Sequence, residues 1–577
     1  MRYHGYVPGY YVENFGCRAT QADGAALERQ FEECGQSRAS TPAEAAIVVL
    51  NTCTVTAAAD QDARAAIRRI RRLNPKASIV VTGCYAQRAP EEVAGLQGVS
   101  HVIGNSHKHR LAEIVGASGG FGHRSPFGVE PVSDPGWCGA SGTKTSSDFG
   151  WRSASSAAGR DASGQWALAP EVPSFVPLAK LSEPAGSREP DARSPIFVSD
   201  IFAHTELVSA PVFDAANERT RPNLKVQDGC DNRCSFCVIP YVRGQSRSLE
   251  INRILGEVKT LVEAGYREVV LSGINLGRWG KDLDLGPQAS DLGQGRRAEV
   301  RGLRSGAVLP KPTLPFLIRI ILAETSLEKL RISSVEPMDW TDDLISLVAS
   351  SPRIAKHAHV PMQSASDAVL RRMHRKYRPW HYREKIEKIH AAMPCAAIGA
   401  DVMVGFPGET DADFEATRRM IEDLPFTYLH VFTYSPRPGT PAAAMADQVP
   451  PGIARERNRI LRELASAKKL AFMRSFVGKS VEAITLKNTR DAGAPDPDHS
   501  LHCHSEPPEA ARKRGDDARG ISALSFTEAL TDNYLKLHLK GRHEANRWLR
   551  ARIDGVTSGA LEGIVVQDDL PAQASFA

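Results

Sequence analysis

The run GCDNRCSFC at residues 229–237 places Cys230, Cys234 and Cys237 in a Cys-x3-Cys-x2-Cys spacing directly after a strand-like segment. Three thiols this close in sequence cannot face one point from a single helix or strand. They converge only on a loop wrapped around an ion or cluster. A structural zinc site takes four ligands, and no fourth Cys or His lies nearby in sequence. Three ligands on a four-iron cluster leave one iron open, which is what a substrate-coordinating cluster needs. The bland alternative is a zinc knuckle completed from a distant part of the chain.

A second constellation is spread more widely. Cys17, Cys53 and Cys84 close the segments YYVENFGC, AAIVVLNTC and ASIVVTGC, each of which reads as a strand. In a parallel sheet the C-terminal strand ends lie along one edge, where open α/β folds bind ligands. Taken singly, each cysteine reads as a small buried residue. Taken together, with a glycine before two of them and a polar NTCT around the third, they read as a second metal-binding triad.

The surrounding pattern gives the architecture. Residues 8–116 alternate strand-like segments (Tyr10–Phe15, Ala46–Leu50, Ser78–Val81) with helical ones such as Asp60–Leu73, an α/β unit with a parallel sheet. From about 215 to 450 six further strand candidates recur: Leu224–Gln227, Glu268–Leu271, Lys329–Ile332, His357–Val360, Gly399–Val404 and Tyr428–Thr433. Six βα units predict a partial β/α barrel, whose chemistry belongs at the C-terminal strand ends. A basic helical segment, Ala454–Arg474, leads to a small all-β domain over 475–567, with strands at Ser480–Leu486, Asn533–Leu539 and Leu549–Ile553. Three stretches lack core-forming periodicity and read as loop insertions: 117–200, about 284–312 and about 489–521.

Bulk properties narrow the setting. The chain has 577 residues, so two to four domains are expected. Its 42% hydrophobic and 24% charged content is that of a globular protein, and a net charge of +5 neither demands nor excludes nucleic acid. The N-terminus lacks a secretory pattern and no apolar run is long enough for a bilayer, so the expected location is cytoplasmic, with no membrane partner. In that reducing setting the ten cysteines are metal ligands or buried thiols rather than disulfides.

The segments NFGCRATQAD, LNTCTVTAAAD, VTGCYAQRAP and DGCDNRCSFCVIPYVRGQSRS resemble, in that order, the radical S-adenosylmethionine methylthiotransferases. The resemblance continues through SSVEP (333–337), HVPMQSASDAVLRRMHRKY (359–377), ADVMVGFPGET (400–410) and HVFTYSPRPGTPAA (430–443). It covers nearly all the chain outside the three insertions. It implies an enzyme with two 4Fe–4S clusters, an auxiliary one on Cys17, Cys53 and Cys84 and a radical-generating one on Cys230, Cys234 and Cys237. The open iron of the latter would bind S-adenosylmethionine and split it to methionine and a 5′-deoxyadenosyl radical. The auxiliary cluster would carry the sulfur to be methylated and transferred. The resemblance also implies an electron donor of the flavodoxin or ferredoxin kind, a sulfur source, and a TRAM-like RNA-binding module at the C-terminus.

Phe236 precedes the last cysteine of the triad, as in that superfamily. Gly405 and Gly408 follow a strand and permit close backbone approach to the adenosine of S-adenosylmethionine, although a tight turn explains them equally. Glu336 and Gln363 (with Ser364) stand at strand ends and are candidate contacts for the same cofactor. Arg243 and Arg247 are candidate anion ligands or solvated loop charges, and the run Arg64–Arg72 is a solvated face or an RNA contact. No residue is assigned as catalytic. Cys34, Cys138, Cys395 and Cys503, with His502 and His504, are assigned no chemistry.

Among family substrates, VQDGCDNRCSFCVIPYVRG is most similar to the branch acting on N6-threonylcarbamoyladenosine beside the tRNA anticodon, and HVFTYSPRPGTPAA agrees. NFGCRATQAD departs from it, where the family commonly has asparagine at the position of Ala19 or Thr20. The expected activity is 2-methylthiolation of that nucleoside. The alternatives are action on N6-isopentenyladenosine or on an aspartate of a small-subunit ribosomal protein, and, in another class, a non-catalytic iron–sulfur RNA-binding protein.

Overall fold

The computed structural model describes residues 9–118, 194–204, 207, 221–283, 312–487, 526–557 and 559–567. The expected insertions at 284–312 and 489–521 and nearly all of 117–200 fall outside the described residues, as do Cys138, His502, Cys503 and His504.

The N-terminal sheet has six parallel strands: β1 (Gly9–Asn14), β2 (Ser37–Arg38), β3 (Ile47–Thr52), β4 (Ser78–Gly83), β5 (Val99–Ile103) and β6 (Ile196–Phe197), in the order β2-β1-β3-β4-β5-β6. β3 and the body of β4 are buried along their length, which explains their unbroken apolar runs IVVL and IVV. Helices Arg18–Glu33 and Ala57–Leu73 cover opposite faces, one packing Leu27 and Phe31 on Tyr10 and Val49, the other Ile67 and Ile70 on Val48 and Val81. The order reverses between β1 and β3, so the crevice for a ligand lies beyond their C-terminal ends. Sequence reading ended this domain at 116, yet β6 from the far side of the insertion pairs with β5. Its two residues are too short to show a period.

The central region holds β7 (Asn223–Asp228), a short antiparallel β8 (Arg247–Ser248), β9 (Glu268–Gly273), β10 (Lys329–Ile332), β11 (His357–His359), β12 (Ala397–Val404) and β13 (Tyr428–Thr433). Two parallel sheets, β10-β9-β7 and β11-β12-β13, are joined by bridges Leu330–Ile354 and Ser334–His359 into a six-stranded open barrel. Ala358, Ile398, Ala400, Val402, Val404 and Val431 face the outer helices and form the main core. The alternate residues therefore face the barrel interior: His357 and His359, Gly399, Asp401 and Met403, Tyr428, His430 and Phe432.

Helix Pro451–Arg474 leads to a closed five-stranded barrel of β14 (Ser480–Thr485), β15 (Phe526–Thr531), β16 (Lys536–Lys540), β17 (Trp548–Val556) and β18 (Leu561–Gln567). The expected strand Asn533–Leu539 starts later, because 531–535 is a tight turn with Tyr534 at φ 67°. That turn caps the central barrel from below. Asn533 donates to the Cys395 carbonyl (3.0 Å), Arg331 donates to the Asp532 carbonyl (3.1 Å), and the Tyr534 ring lies 4.9 Å from that of His357.

Gly399 shows how tightly the interior is fitted. A Cβ there would enter the Tyr428 ring, which lies flat against β12. Gly399→Ala is expected to cost about 1–3 kcal/mol as an overpacked core substitution. A fall in the urea midpoint of the purified protein measures it.

Candidate functional site

Cys17, Cys53 and Cys84 sit just past β1, β3 and β4, three adjacent strands. Gly16, at φ 104°, brings the first two together, since a Cβ on it would lie 2.9 Å from Cys53 Sγ. Cys17 is the N-cap of helix Arg18–Glu33, where the positive end of the helix dipole favours a negatively charged ligand set. Cys84 is buried and begins helix Cys84–Arg88.

Cys230, Cys234 and Cys237 occupy the loop after β7. Gly229 (φ 71°) starts it where a Cβ would collide with the Gln245 carbonyl. Ser235 pins it from inside, donating to the Arg372 carbonyl (2.7 Å), while its own carbonyl accepts from Ala442 N–H. Arg375 Nη1 lies 3.2 Å from Cys234 Sγ and its other nitrogen pairs with Glu336; Asn275 Nδ2 lies 3.6 Å from Cys230 Sγ. Burial pushes the Cys230 thiol up to about 11, and burial followed by the charge of Cys234 pushes Cys237 up as well. A metal cation bound there would displace those protons.

One cysteine of the N-terminal triad packs against the segment that follows the barrel triad. Val238, the residue after Cys237, packs with Val242 and Ile239 against Cys84. Asn105 ties them further, donating to the Val242 carbonyl (2.7 Å) and lying 3.6 Å from Cys84 Sγ.

Behind this contact lies a buried ionic network of five side chains. Arg243 donates to both oxygens of Asp228 (3.0 and 3.1 Å) and to Asp23 (2.9 Å). Lys225 pairs with Asp23 and with Asp228 (2.8 Å), and Lys108 pairs with Asp23 (3.0 Å) and Asn51 (3.1 Å). Burial alone would raise Asp23, but Arg243, Lys108 and Lys225 outweigh it and hold the carboxyl at about 2. Burial likewise opposes the charge on Arg243, which Asp228 and Asp23 restore, and Cys84 and Cys17 lie within its field. Three cations against two carboxylates leave a net positive charge beside the first triad. A second knot fixes the Cys53 loop: Thr54 donates to Asp60 (2.6 Å) and accepts from Arg88 and Arg437 (both 2.8 Å), and both arginines also pair with Asp60.

Several sequence expectations change. Arg243 is neither an anion site nor a solvated charge, because its guanidinium is consumed by Asp23 and Asp228. Arg247 is half-buried and donates to the carbonyls of His204 and Gln245 (both 3.3 Å). In the Arg64–Arg72 run, Arg64 meets Tyr85 and Glu92, and Arg69 meets Glu13. Gly405 (φ 74°) is required because Ala454 of the following helix packs on it, and its N–H goes to Glu409. Gly408 (φ 73°) turns beneath Arg372, which donates to its carbonyl (2.7 Å). Ser364 is buried between Thr417 and Ser366. Phe236 packs edge-on against Phe406 of the same glycine-containing loop, with centroids 6.4 Å apart. Gln363 takes the left-handed conformation (φ 62°), and its Oε1, like Asn275 Oδ1, is a buried acceptor with no partner among the described residues.

The sequence did carry a signal for the network. Asp23 interrupts the buried stripe Ala19, Ala22, Ala26, Leu27, and Lys225 stands inside the buried strand NLKVQD. A charge in such a stripe requires buried partners.

A model of the radical SAM superfamily matches residues 224–421, and one described as the uncharacterized protein family UPF0004 matches 9–104. A threonylcarbamoyladenosine tRNA methylthiotransferase of Aquifex aeolicus is 32% identical over 480 residues, covering 83% of this chain and 93% of its own. The chain belongs to the radical S-adenosylmethionine methylthiotransferases. The methylthiotransferase of the same name from Bacillus subtilis is 29% identical and covers 92% of this chain and 90% of its own. A tRNA-2-methylthio-N(6)-dimethylallyladenosine synthase of Novosphingobium aromaticivorans is 30% identical, covering 84% and 87%. Membership brings S-adenosylmethionine and a 4Fe–4S cluster to this methylthiotransferase as cofactors. No helix among the described residues is long and apolar enough to cross a membrane.

The network gives the methylthiotransferase a pH signature. Asp23 has a folded-state pKa below its unfolded value of 3.8, so its contribution is complete above about pH 4 and is lost as pH falls toward 2. Stability from urea unfolding is expected to drop by about 2 kcal/mol across that window. Asp23→Asn is expected to cost about 3–5 kcal/mol at pH 7 by stranding buried cations. It should also flatten the acid step.

Proposed function

We propose that this methylthiotransferase converts N6-threonylcarbamoyladenosine beside the tRNA anticodon to its 2-methylthio derivative. Two cysteine triads, one past three adjacent strands of the N-terminal sheet and one on the loop after β7, with Cys84 of the first packed on the segment that follows Cys237, support this reading above all. The substrate specified in the names of the Aquifex and Bacillus relatives supports the choice of nucleoside.

Cys230, Cys234 and Cys237 would hold the radical-generating cluster, and Cys17, Cys53 and Cys84 the auxiliary one. When bound, these groups supply the electron that cleaves S-adenosylmethionine and the sulfur that is transferred. The chain's own part is to position and to shield. Arg375 and Asn275, each within reach of a cysteine sulfur, would fix the loop's ligands and offset their charge. Glu336 and the unpartnered acceptors of Gln363 and Asn275 fit the ammonium and hydroxyl donors of S-adenosylmethionine. Phe236, held by Phe406, would lie beside it, and Gly405 and Gly408 would shape the adjoining turn. The overall change replaces the C2 hydrogen of the adenine by a methylthio group. The hydrogen leaves as part of 5′-deoxyadenosine, and the methyl group comes from a second S-adenosylmethionine.

The C-terminal barrel would act as a TRAM-like tRNA-binding module. Arg550 and Arg552 alternate outward on β17, where their exposed ion pairs with Glu482 (3.4 Å) and Asp554 (3.3 Å) would have to yield to phosphate. A cytoplasmic location, a flavodoxin- or ferredoxin-like electron donor and a separate sulfur source belong to the same reading.

Nucleoside mass spectrometry of tRNA from a strain lacking the protein tests it. The 2-methylthio-threonylcarbamoyl nucleoside should vanish, return with the wild-type gene, and stay absent with Cys53→Ala. Unchanged amounts in the deletion strain refute the assignment. Loss of the isopentenyl derivative instead would transfer it to the other tRNA branch. Cys53→Ala should still form 5′-deoxyadenosine, whereas Cys234→Ala should form none.

A further inference from the structure

Below the cysteine loop the barrel interior carries a group of side chains that the cofactors do not use. His359, Asp401 and His430, on β11, β12 and β13, bring their polar atoms within 4.8 Å of one another. Both imidazoles converge on one carboxylate oxygen, His359 Nε2 at 3.4 Å and His430 Nδ1 at 3.3 Å from Asp401 Oδ1. Burial would raise the Asp401 carboxyl, but His359 and His430 outweigh it and hold it far below the usual carboxylate range.

The group forms a cup with a floor and an open side. Tyr428 is the floor, its ring 6.0 Å from His359 and 5.4 Å from His430, and it lies flat only because Gly399 has no side chain. The Tyr428 hydroxyl is 2.7 Å from His357 Nε2. Exposure rises across the cup, with His359 10%, Asp401 28% and His430 58% accessible. With Nδ1 turned to Asp401, Nε2 of His430 is the nitrogen left to meet a ligand.

Charge defines what enters. Beneath Tyr428, Arg221 and Arg331 pair with Glu268, Arg331 also lies in the field of Asp532, and Arg18 Nη2 reaches the Tyr534 hydroxyl (3.3 Å). This floor carries more positive than negative charge. A purely apolar substituent in the cup would cover Asp401 without offering it a hydrogen bond, at a cost in desolvation. An anionic substituent with hydroxyl and urea N–H donors would satisfy the imidazoles and the carboxylate together.

We infer that His359, Asp401 and His430 form the subsite for the N6 substituent of the target adenosine, with the His430 ring carrying both protons in the complex, Nδ1–H donating to Asp401 and Nε2–H to the substituent's carboxylate. Asp401 is the positioning residue that orients the two rings. This inference rests on the nucleoside assigned above, and it makes the cup the element that separates an acidic substituent from an apolar one.

The test is binding without turnover. Reconstituted holoenzyme, kept free of reductant, is titrated with three anticodon stem-loop RNAs. One carries threonylcarbamoyladenosine, one its carboxylate as the methyl amide, and one plain adenosine. The wild type should favour the acid over the amide by about tenfold. His430→Leu should remove that preference while binding the plain adenosine RNA as before. Asp401→Asn, which keeps the side-chain volume, should weaken it in the same direction. A variant pair that retains the acid preference overturns the subsite. A parallel reaction with reductant added reads methylthiolation of the acid RNA, and a wild type that methylthiolates it yet binds acid and amide equally also overturns the subsite. A wild type that neither prefers nor methylthiolates the acid RNA instead defeats the functional assignment itself.

Discussion

The contact on which the molecule depends is the buried network of Asp23, Lys108, Lys225, Asp228 and Arg243. Removing five charges from water is costly, and such a group persists only when every member is paired. Here the pairing crosses from the N-terminal sheet to the barrel. Asp23 lies on the helix that Cys17 caps, and Lys108 reaches Asn51 near Cys53. Asp228 precedes the loop of Cys230, and Arg243 ends the helix that follows Cys237. Four of the five charged groups are thus within six residues of a cysteine of one triad or the other, and Lys108 reaches the Cys53 strand through Asn51. The network fixes the two sets of thiols across their shared boundary. Hydrophobic contact alone, being non-directional, would fix them less sharply.

Much of this is legible in the sequence. The strands β1, β3, β4, β7 and β9 announce themselves by apolar-rich runs ending in glycine, cysteine or acid, and β12 by an apolar run that leads into Gly405. The cysteines could be placed at strand ends for that reason. What escaped was polar and non-local. Arg243 looks like a loop charge, because nothing in IPYVRGQ reveals that Asp23, more than two hundred residues earlier, lies against it. β2 and β6 are two residues each, shorter than any period. Gly405 and Gly408 carry a glycine signal that a ligand and a packed helix produce alike. Only Ala454, pressed on Gly405, tells which steric demand is present in the structure.

The barrel interior divides into three levels. Its rim holds the cysteine loop, Arg375 and the unpartnered acceptors of Gln363 and Asn275. Its middle is the histidine–aspartate cup on β11 to β13. Its base is closed by the hairpin turn of the C-terminal barrel, where Tyr534 meets His357, Tyr428 and Arg18. Because strand residues alternate, inward positions can change chemistry while outward positions such as Val402 and Val431 keep the core. That separation is consistent with relatives named for different N6 substituents each being about 30% identical to this chain over most of their length.

Two clusters in one chain is the claim on which the rest turns, and iron content after anaerobic reconstitution measures it most directly. Mössbauer spectra and acid-labile sulfide should give about eight irons and eight sulfides per chain, all in four-iron clusters. Replacing Cys17, Cys53 and Cys84 together by alanine should leave about four of each. Four irons in the wild type, unchanged by that replacement, would contradict the account.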